Sequence, residues 1–280
     1  MAIDSEIFEK GREGPNPERI REKFGTLADA LSAFGSGEIG RREYKGVSGG
    51  FGTYAQRAEG KHMVRLRLAG GRLTVDKLAF IAECVDKYGL DMIHFTTCQT
   101  VQLHNLSPEG ALGVVRDALD AGIITYGGGG DFPRNVTASP LSGVDPAEAF
   151  DVSPFVLAAE EYLLGVAPYA NLPRKLKVAF SNGTDDVHAT VRDLGFVARH
   201  DGRFDVYAAG GLGGAGSRHG ALVVDGLDPA DALYCVEAMV SVFMEHGNRD
   251  SRTGARTRFI RDSLGEEGFL GAFSEALGES

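Results

Sequence analysis

The feature that most constrains this chain is an ordered run of patterns between residues 62 and 126. "HMVRLRL" (62–68) alternates apolar and basic residues, as a half-buried strand does. Thr74 is a helix N-cap for "VDKLAFIAECVDKYG", whose apolar residues fall at helical spacing and which Gly89 ends. "DMIHFTT" and "TVQLHN" then read as two strands. "SPEGALGVVRDALDAG" reads as a second helix, capped by Ser107 with Pro108 at its first position, and "IITY" as a short strand. The predicted order is β-α-β-β-α-β over about 65 residues, which seats two helices on one sheet.

That order is a ferredoxin-like unit. Residues 1–60 read as a leading irregular segment with one helix near "NPERIREKFGTLADALSAFG", followed by a loop, "GVSGGFGTYAQRAEG". A Gly- and Pro-rich crossing, "GGGGDFPRNVTASPLSG", leads into the second part, 127–280. There the pattern predicts a helix ("SPFVLAAEEYLLG"), a strand opened by a basic run ("LPRKLKVAFSN") and three further strands ("GFVARH", "FDVYAA", "GALVVDG"). Two helical stretches end the chain, "DPADALYCVEAMVSVFMEHG" and "RTGARTRFIRDSLGEEGFLGAFSEALG". The fold class is α+β in two parts joined near residue 130: a ferredoxin-like half-domain over 61–126, then a mixed sheet-and-helix domain.

The 280 residues carry a formal net charge of -10, which argues against a nucleic-acid or anionic-membrane binder and makes basic clusters informative. A ferredoxin-like RNA binder would also need exposed aromatic residues on its sheet, and "HMVRLRL" has none. The first twenty residues hold no apolar signal region, and no apolar run reaches the roughly 18 residues of a membrane helix, so the expected location is the cytoplasm. Cys84, Cys98 and Cys235 are far apart and odd in number, against a disulfide framework. With no C-x-x-C pair, no self-contained zinc or iron–sulfur site is expected. No metal ligand is assigned, and neither His94 nor His104 is given a metal role.

Four motifs carry candidate chemistry. "LPRKLK" supplies Arg174, Lys175 and Lys177, and in a strand Lys175 and Lys177 share a face. They are either a solvated edge or a pair of ammoniums around an anion. Arg134 follows four glycines in "GGGGDFPRNV", a common way to hold an anion and also a common loop. "GNRDSRTGARTRFIR" carries Arg249, Arg252, Arg256, Arg258 and Arg261 against one acid, Asp250; a helix from about 252 would put Arg252 and Arg256 on one face, which is either a solvated helix face or a cationic cluster. "GGLGGAGS" lacks the strand-before, helix-after context of a dinucleotide loop, which argues against a nucleotide site.

Taken in order, these motifs resemble the N-terminal half of the sirohaem-dependent nitrite and sulfite reductases. "TTCQTVQ" (96–102) matches a T-T-R-Q-x-x-Q strand motif, "PRNVTASPLSG" an R-N-V segment and "LPRKLK" an L-P-R-K-x-K segment. "VYAAGGLGGAG" matches a glycine-rich stretch after a V-Y strand, and "NRDSRTGAR" an N-R-x-x-R-x-x-A-R segment. The resemblance covers about 60 to 275. It implies that 127–280 is the first half of a sirohaem-binding domain, with sirohaem and a 4Fe-4S cluster as cofactors. It implies that Arg134, Lys175 and Lys177 face a small oxyanion, nitrite or sulfite, and that Cys98, Gln99, Gln102, Asn135, Arg174, Arg249, Arg252 and Arg256 meet the cofactor or brace the site. Sirohaem carries eight carboxylates, and holding them calls for forked cations. Two departures stand out. Cys98 occupies the slot of a family arginine. The C-x5-C and C-x3-C cysteine pairs that hold the family's cluster and iron are absent. The expected partners are therefore a second chain or half bearing those cysteines, and an electron donor such as ferredoxin or a flavoprotein. The alternative is a non-catalytic half-reductase that binds a tetrapyrrole or a partner chain.

Overall fold

The computed structural model describes residues 5–184, 186–214 and 216–279. The chain divides into two units. One is Asn16–Asn135; the other joins the segment up to Pro15 to Val136 onward. The first helix, α1 (Ser5–Glu13), therefore belongs with the C-terminal part.

The unit Asn16–Asn135 opens with α2 (Pro17–Glu22), α3 (Phe24–Gly35) and α4 (Arg41–Ser48). Asn16 caps α2 through its side chain, and Lys23 both ends α2 and precedes α3, so the single helix expected here is broken at that residue. Strand β1 (Thr53–Ala55) follows, inside the stretch expected to be a loop, and then β2 (His62–Leu66). Helix α5 (Val75–Tyr88) begins at its Thr74 cap and stops at Gly89, whose φ of 59° is left-handed. Strands β3 (Ile93–Phe95) and β4 (Val101–Leu106) flank a tight turn, and α6 (Pro108–Asp120) is capped by Ser107. The four strands form an antiparallel sheet in the order β1-β2-β4-β3. Val64, Leu66, Val101 and Leu103 face its core with Ala111, Val114 and Ala118 of α6.

The expected strand at "IITY" is not formed, and β1 takes the fourth place in the sheet instead. The backbone of 123–126 is already committed elsewhere. Ile123 N–H closes α6 on Ala118, the Thr125 carbonyl accepts from Gly128, and the Tyr126 carbonyl accepts from Arg67. A β-branched run does not form a strand when its ladder groups are taken. The strand expected across 91–97 shortens to Ile93–Phe95 because Thr96–Thr100 forms the turn.

The second unit contains β5 (Thr137–Ala138), α7 (Ser153–Val166), β6 (Val178–Ser181), β7 (Leu194–Ala198), β8 (Phe204–Ala208) and β9 (Ala221–Leu227), then α8 (Ala232–His246) and α9 (Ile260–Glu279). The sheet order follows the chain, β5-β6-β7-β8-β9, parallel for the first three strands and antiparallel after. Its core is aromatic: Phe180 stacks on Phe196 at 4.3 Å and both meet Phe204 edge-on. Helix α1 docks on α7 through Glu237 of α8, which accepts from Arg12 at 3.0 Å and from the Tyr162 hydroxyl at 3.0 Å. Gly11 and Gly165 allow that approach; a methyl on Gly11 would meet the Tyr162 ring at 2.5 Å.

Two further expectations are corrected here. The strand of "LPRKLKVAFSN" begins only at Val178, because Pro173 has no N–H and the Lys177 N–H goes to the Asp193 carboxylate at 2.8 Å. Residues 252–256 are not helical. The Asn248 side chain accepts from the N–H groups of Asp250 and Ser251, and Arg256 is extended, so Arg252 and Arg256 share no helical face.

Candidate functional site

Within Asn16–Asn135, two of the residues singled out by sequence, Cys98 and Gln99, come together around a third, Asn135. Asn135 is 4% exposed. Its Oδ1 accepts from Leu68 N–H at 2.8 Å, and its Nδ2 donates to the carbonyls of Cys98 at 3.0 Å and Gln99 at 3.3 Å. One side chain thus ties the end of β2 to the β3–β4 turn. That turn is held by Thr96: its hydroxyl lies 2.7 Å from the Thr100 hydroxyl and accepts from Thr100 N–H at 3.1 Å. Gln99 sits at its corner with φ of 55°, a left-handed position costly for a side-chain-bearing residue.

Three arginines gather beside the run of glycines. Arg134 Nη1 donates to Gly128 O at 3.3 Å and Nη2 to Gly130 O at 2.8 Å. Arg65 Nη1 donates to the same Gly128 carbonyl at 2.6 Å. Arg67, 4% exposed, donates to Pro133 O at 2.9 Å and Tyr126 O at 3.3 Å. With its amide turned to suit its neighbours, Gln102 Oε1 accepts from Arg65 at 2.8 Å while its NH2 donates to His104 at 3.1 Å. Burial pushes the Arg134 guanidinium down to about 10, with Arg65 and Arg67 adding to the shift and Tyr54 and Cys98 opposing it. The Arg134 Nε is buried with no hydrogen-bond partner. Cys98 is half-buried and close enough to Arg134 to interact with it electrostatically. The loop that carries Arg134 is pinned rather than slack. Gly129 lies so close to the Tyr54 hydroxyl that a Cβ would overlap it, and a Cβ on Gly128 would meet Thr125 O at 2.7 Å.

Arg65 and Arg67 are functional candidates that the sequence reading treated only as strand patterning. The signal was present: in "HMVRLRL" they stand at i and i+2, on one side of an extended segment.

The second unit places its own candidates differently. Lys175 and Lys177 are half-buried and flank Leu176, which is fully buried, so they share a face although no strand is formed there. Arg174 is half-buried beside them. Arg256 is joined to Asp193, a carboxylate with no exposure, at 2.8 Å; Asp193 also accepts from the Thr257 hydroxyl and the Lys177 N–H. Arg256 thereby braces the Lys177 backbone through a shared acid. Arg249 donates to the carbonyls of Asn171 at 2.8 Å and Met244 at 3.0 Å, tying the end of α8 to the segment before "LPRKLK". Arg252 lies exposed in the turn between them. Arg258, a further arginine of the same run, is 7% exposed, stacks on the Phe259 ring at 4.6 Å and donates to Gly213 O at 3.0 Å.

The donor sets differ in what they fit. The guanidinium cluster fits an anionic group: no carboxylate of the described residues pairs with Arg65 or Arg134, and the partners of both are carbonyl or amide oxygens. The cysteines do not fit an iron–sulfur cluster. Among the described residues no three His, Cys, Asp or Glu side chains gather where a metal could sit. Burial pushes the thiols of Cys84 and Cys235 up to about 11 and about 12, away from the thiolate a cluster needs. No helix among the described residues is long and apolar enough to cross a membrane.

Comparison with known proteins places the chain in a family and matches its fold. The family profile described as "Nitrite and sulphite reductase 4Fe-4S domain" matches residues 129–280, and "Nitrite/Sulfite reductase ferredoxin-like half domain" matches 54–121. The chain is 33% identical over 230 residues to ferredoxin–nitrite reductase of Synechococcus elongatus, covering 78% of this chain and 45% of that protein. It is 28% identical over 293 residues to the sulfite reductase [ferredoxin] of Mycobacterium tuberculosis, covering 96% and 51%. The solved structure of the Mycobacterium tuberculosis NirA protein has the same fold, with a TM-score of 0.78, 24% identity, and 98% and 52% of the two chains covered. The chain therefore spans about half the length of the curated relatives it matches.

Proposed function

The chain belongs to the nitrite and sulphite reductase 4Fe-4S domain family, and on that premise we propose that it supplies the basic, anion-holding half of a sirohaem- and 4Fe-4S-dependent reductase of nitrite or sulfite. In this reading 61–126 is the ferredoxin-like half-domain, 127–280 the first half of the sirohaem-binding domain, and 1–60 a leading segment. The observation that carries it is the Arg65–Arg67–Arg134 cluster. Gathering guanidiniums around backbone carbonyls, with one buried Nε left over, is costly unless an anion completes the set.

Arg134 would hold an oxygen of the oxyanion or a carboxylate of the tetrapyrrole, and Arg65 and Arg67 would raise the positive potential around it. Lys175 and Lys177 are the proton donors of this reading, since an ammonium gives up a proton far more readily than a guanidinium. Asn135 and Gln102 position the turn and Arg65; Cys98 and Gln99 present the turn's backbone, and Arg174, Arg249, Arg252 and Arg256 brace or meet cofactor carboxylates. Sirohaem and the cluster, when bound, would relay the donor's electrons to the oxyanion one at a time in a six-electron reduction. The cluster thiolates come from a further cysteine-bearing part, in the same polypeptide or a second chain. The Synechococcus and Arabidopsis relatives are named for ferredoxin, which supports a ferredoxin-type donor.

The test is to isolate the tagged chain anaerobically from its own cells and record visible absorption, iron and acid-labile sulfide. A Soret band with iron and sulfide, arriving with a C-x5-C and C-x3-C bearing part, is the expected result. A colourless preparation that takes up no tetrapyrrole refutes it. One that binds the tetrapyrrole with no cysteine-bearing part supports the second reading, a binding module without turnover, towards which Cys98 in place of the family's arginine points.

A further inference from the structure

A cleft of about 270 Å3 lies within Asn16–Asn135 where α2 gives way to α3. Its walls are Phe51, Tyr126 and Phe132, with Gly46 of α4 and Gly50 beside them and the Lys23 side chain at the α2–α3 junction. Phe51 and Tyr126 are buried and Phe132 is half-buried. The rings meet edge-on: Tyr126 stands 5.7 Å from Phe51 and 5.3 Å from Phe132, centroid to centroid. Gly46 and Gly50 put no side chain into the cleft, which leaves bare backbone beside the rings. One part of this apolar space is polar. Lys23 Nζ donates to the Tyr126 hydroxyl at 3.1 Å. An ammonium has three N–H groups, and this is its one hydrogen bond among the described residues. No carboxylate of those residues pairs with it, although the chain holds 39 Asp and Glu against 29 Lys and Arg. The Tyr126 oxygen, accepting from Lys23, keeps its own O–H to donate, and no described residue accepts it. A cation and a hydroxyl donor thus stand side by side at the cleft with no anion on them.

We propose that this cleft binds a small aromatic carboxylate, its ring against Phe51, Tyr126 and Phe132 and its carboxylate on Lys23 and the Tyr126 hydroxyl. Each half of the ligand follows from one half of the site. The ammonium and the hydroxyl, 3.1 Å apart, meet the two oxygens of one carboxylate in charge-assisted bonds. The three rings and the bare glycine backbone suit a flat apolar body, and a few placed polar groups on an apolar lining are the usual make-up of a small-molecule site. Size narrows the class. An apolar cavity of about 150 Å3 holds one benzene ring, so 270 Å3 takes a body of one or two rings with its carboxylate and is too small for a tetrapyrrole. A bare inorganic anion would leave the aromatic walls uncovered. The inference does not depend on the proposed function: none of Arg65, Arg67 and Arg134 lines the cleft.

Saturation-transfer NMR on the 1–280 chain, titrated with indole-3-carboxylate, tests it. The expected result is saturable binding with a Kd on the order of 1 mM or tighter, the range of about a dozen non-hydrogen atoms at ordinary ligand efficiency. The neutral isostere indole-3-carboxamide binds at least tenfold more weakly, because it brings no charge to Lys23. Lys23→Met weakens the carboxylate at least tenfold at unchanged Tm, since the aliphatic stem is kept. Gly46→Leu is the second variant. A Cβ at Gly46 meets nothing within 4 Å, and leucine is a better helix former than glycine, so α4 keeps its fold while the wall of the cleft gains bulk and the probe is lost. Three results would each overturn the proposal. One is no saturation by 10 mM probe, a bound set at roughly ten times the expected Kd. Another is equal binding of carboxylate and carboxamide. The third is binding that falls in Arg134→Gln and not in Lys23→Met, which would seat the probe on the guanidinium cluster.

Discussion

Replacing Asn135 with alanine separates a structural clamp from a bystander. The substitution removes three hydrogen bonds at once: the acceptor of Leu68 N–H at 2.8 Å and the donor to the carbonyls of Cys98 and Gln99. No water reaches a 4%-exposed position easily, so the Leu68 N–H is left without a partner. A lost neutral bond costs about 0.5–1.5 kcal/mol and an orphaned buried group about 1–3 kcal/mol, giving a local cost of about 2–4 kcal/mol. At 1.4 kcal/mol per decade, the Leu68 amide should exchange roughly 30- to 1,000-fold faster with deuterium than in the unaltered chain. Residue-resolved hydrogen exchange reads this directly. Asn135→Asp is the companion: it keeps the acceptor for Leu68 but sets a carboxylate against two carbonyls. The Leu68 amide should stay protected while the Thr96–Thr100 turn loosens. Leu68 protection within threefold of normal in Asn135→Ala would refute the reasoning, because the turn and the strand would then be held by something else.

Other expectations follow from the same geometry. Asp193→Ala leaves Arg256 without its carboxylate in a buried place and should cost about 3–5 kcal/mol in a urea titration. Glu237→Gln weakens the α1–α7 clamp; the Arg12 side chain is half-exposed, so the loss is about 1 kcal/mol, read as a small fall in Tm. His62 and His104 are both held below the ordinary value of 6.5, first by burial, then by Arg41 for His62 and by His94 for His104. The unfolded chain therefore binds protons more readily, so stability present above pH 6.5 should fall as the pH drops below it, and His62→Gln should flatten the dependence. Gly129→Ala, whose methyl overlaps the Tyr54 hydroxyl, should shift the Arg134 loop and lower anion affinity more than it lowers stability.

What could be read from the chain tracks where its causes are local. Thr74, Gly89, Ser107 and Pro108 fix the ends of α5 and α6 by capping, and the structure places them so. Strand β8 follows the alternation of its apolar residues, with Phe204, Val206 and Ala208 buried. The misreadings have non-local causes. "IITY" has strand propensity, but Arg67, distant in the chain, takes the Tyr126 carbonyl, and a turn to Gly128 takes that of Thr125. The helix expected from 252 is displaced by an acid 63 residues away, Asp193 on Arg256. β1 was hidden because three residues in a glycine-rich stretch carry no periodic signal. The site behaved likewise. Arg134, Asn135, Cys98 and Gln102 were visible as motif positions, whereas Arg65 and Arg67 acquire meaning only when the glycine run folds back onto β2.

The central claim is that the guanidinium cluster of Asn16–Asn135 holds a polyanionic tetrapyrrole. Equilibrium titration of the chain with sirohydrochlorin, the iron-free octacarboxylate, tests it without cluster or electron transfer. The account predicts saturable binding that weakens with salt and falls at least tenfold in Arg134→Gln at unchanged stability. Binding that is equal in the two proteins would contradict it.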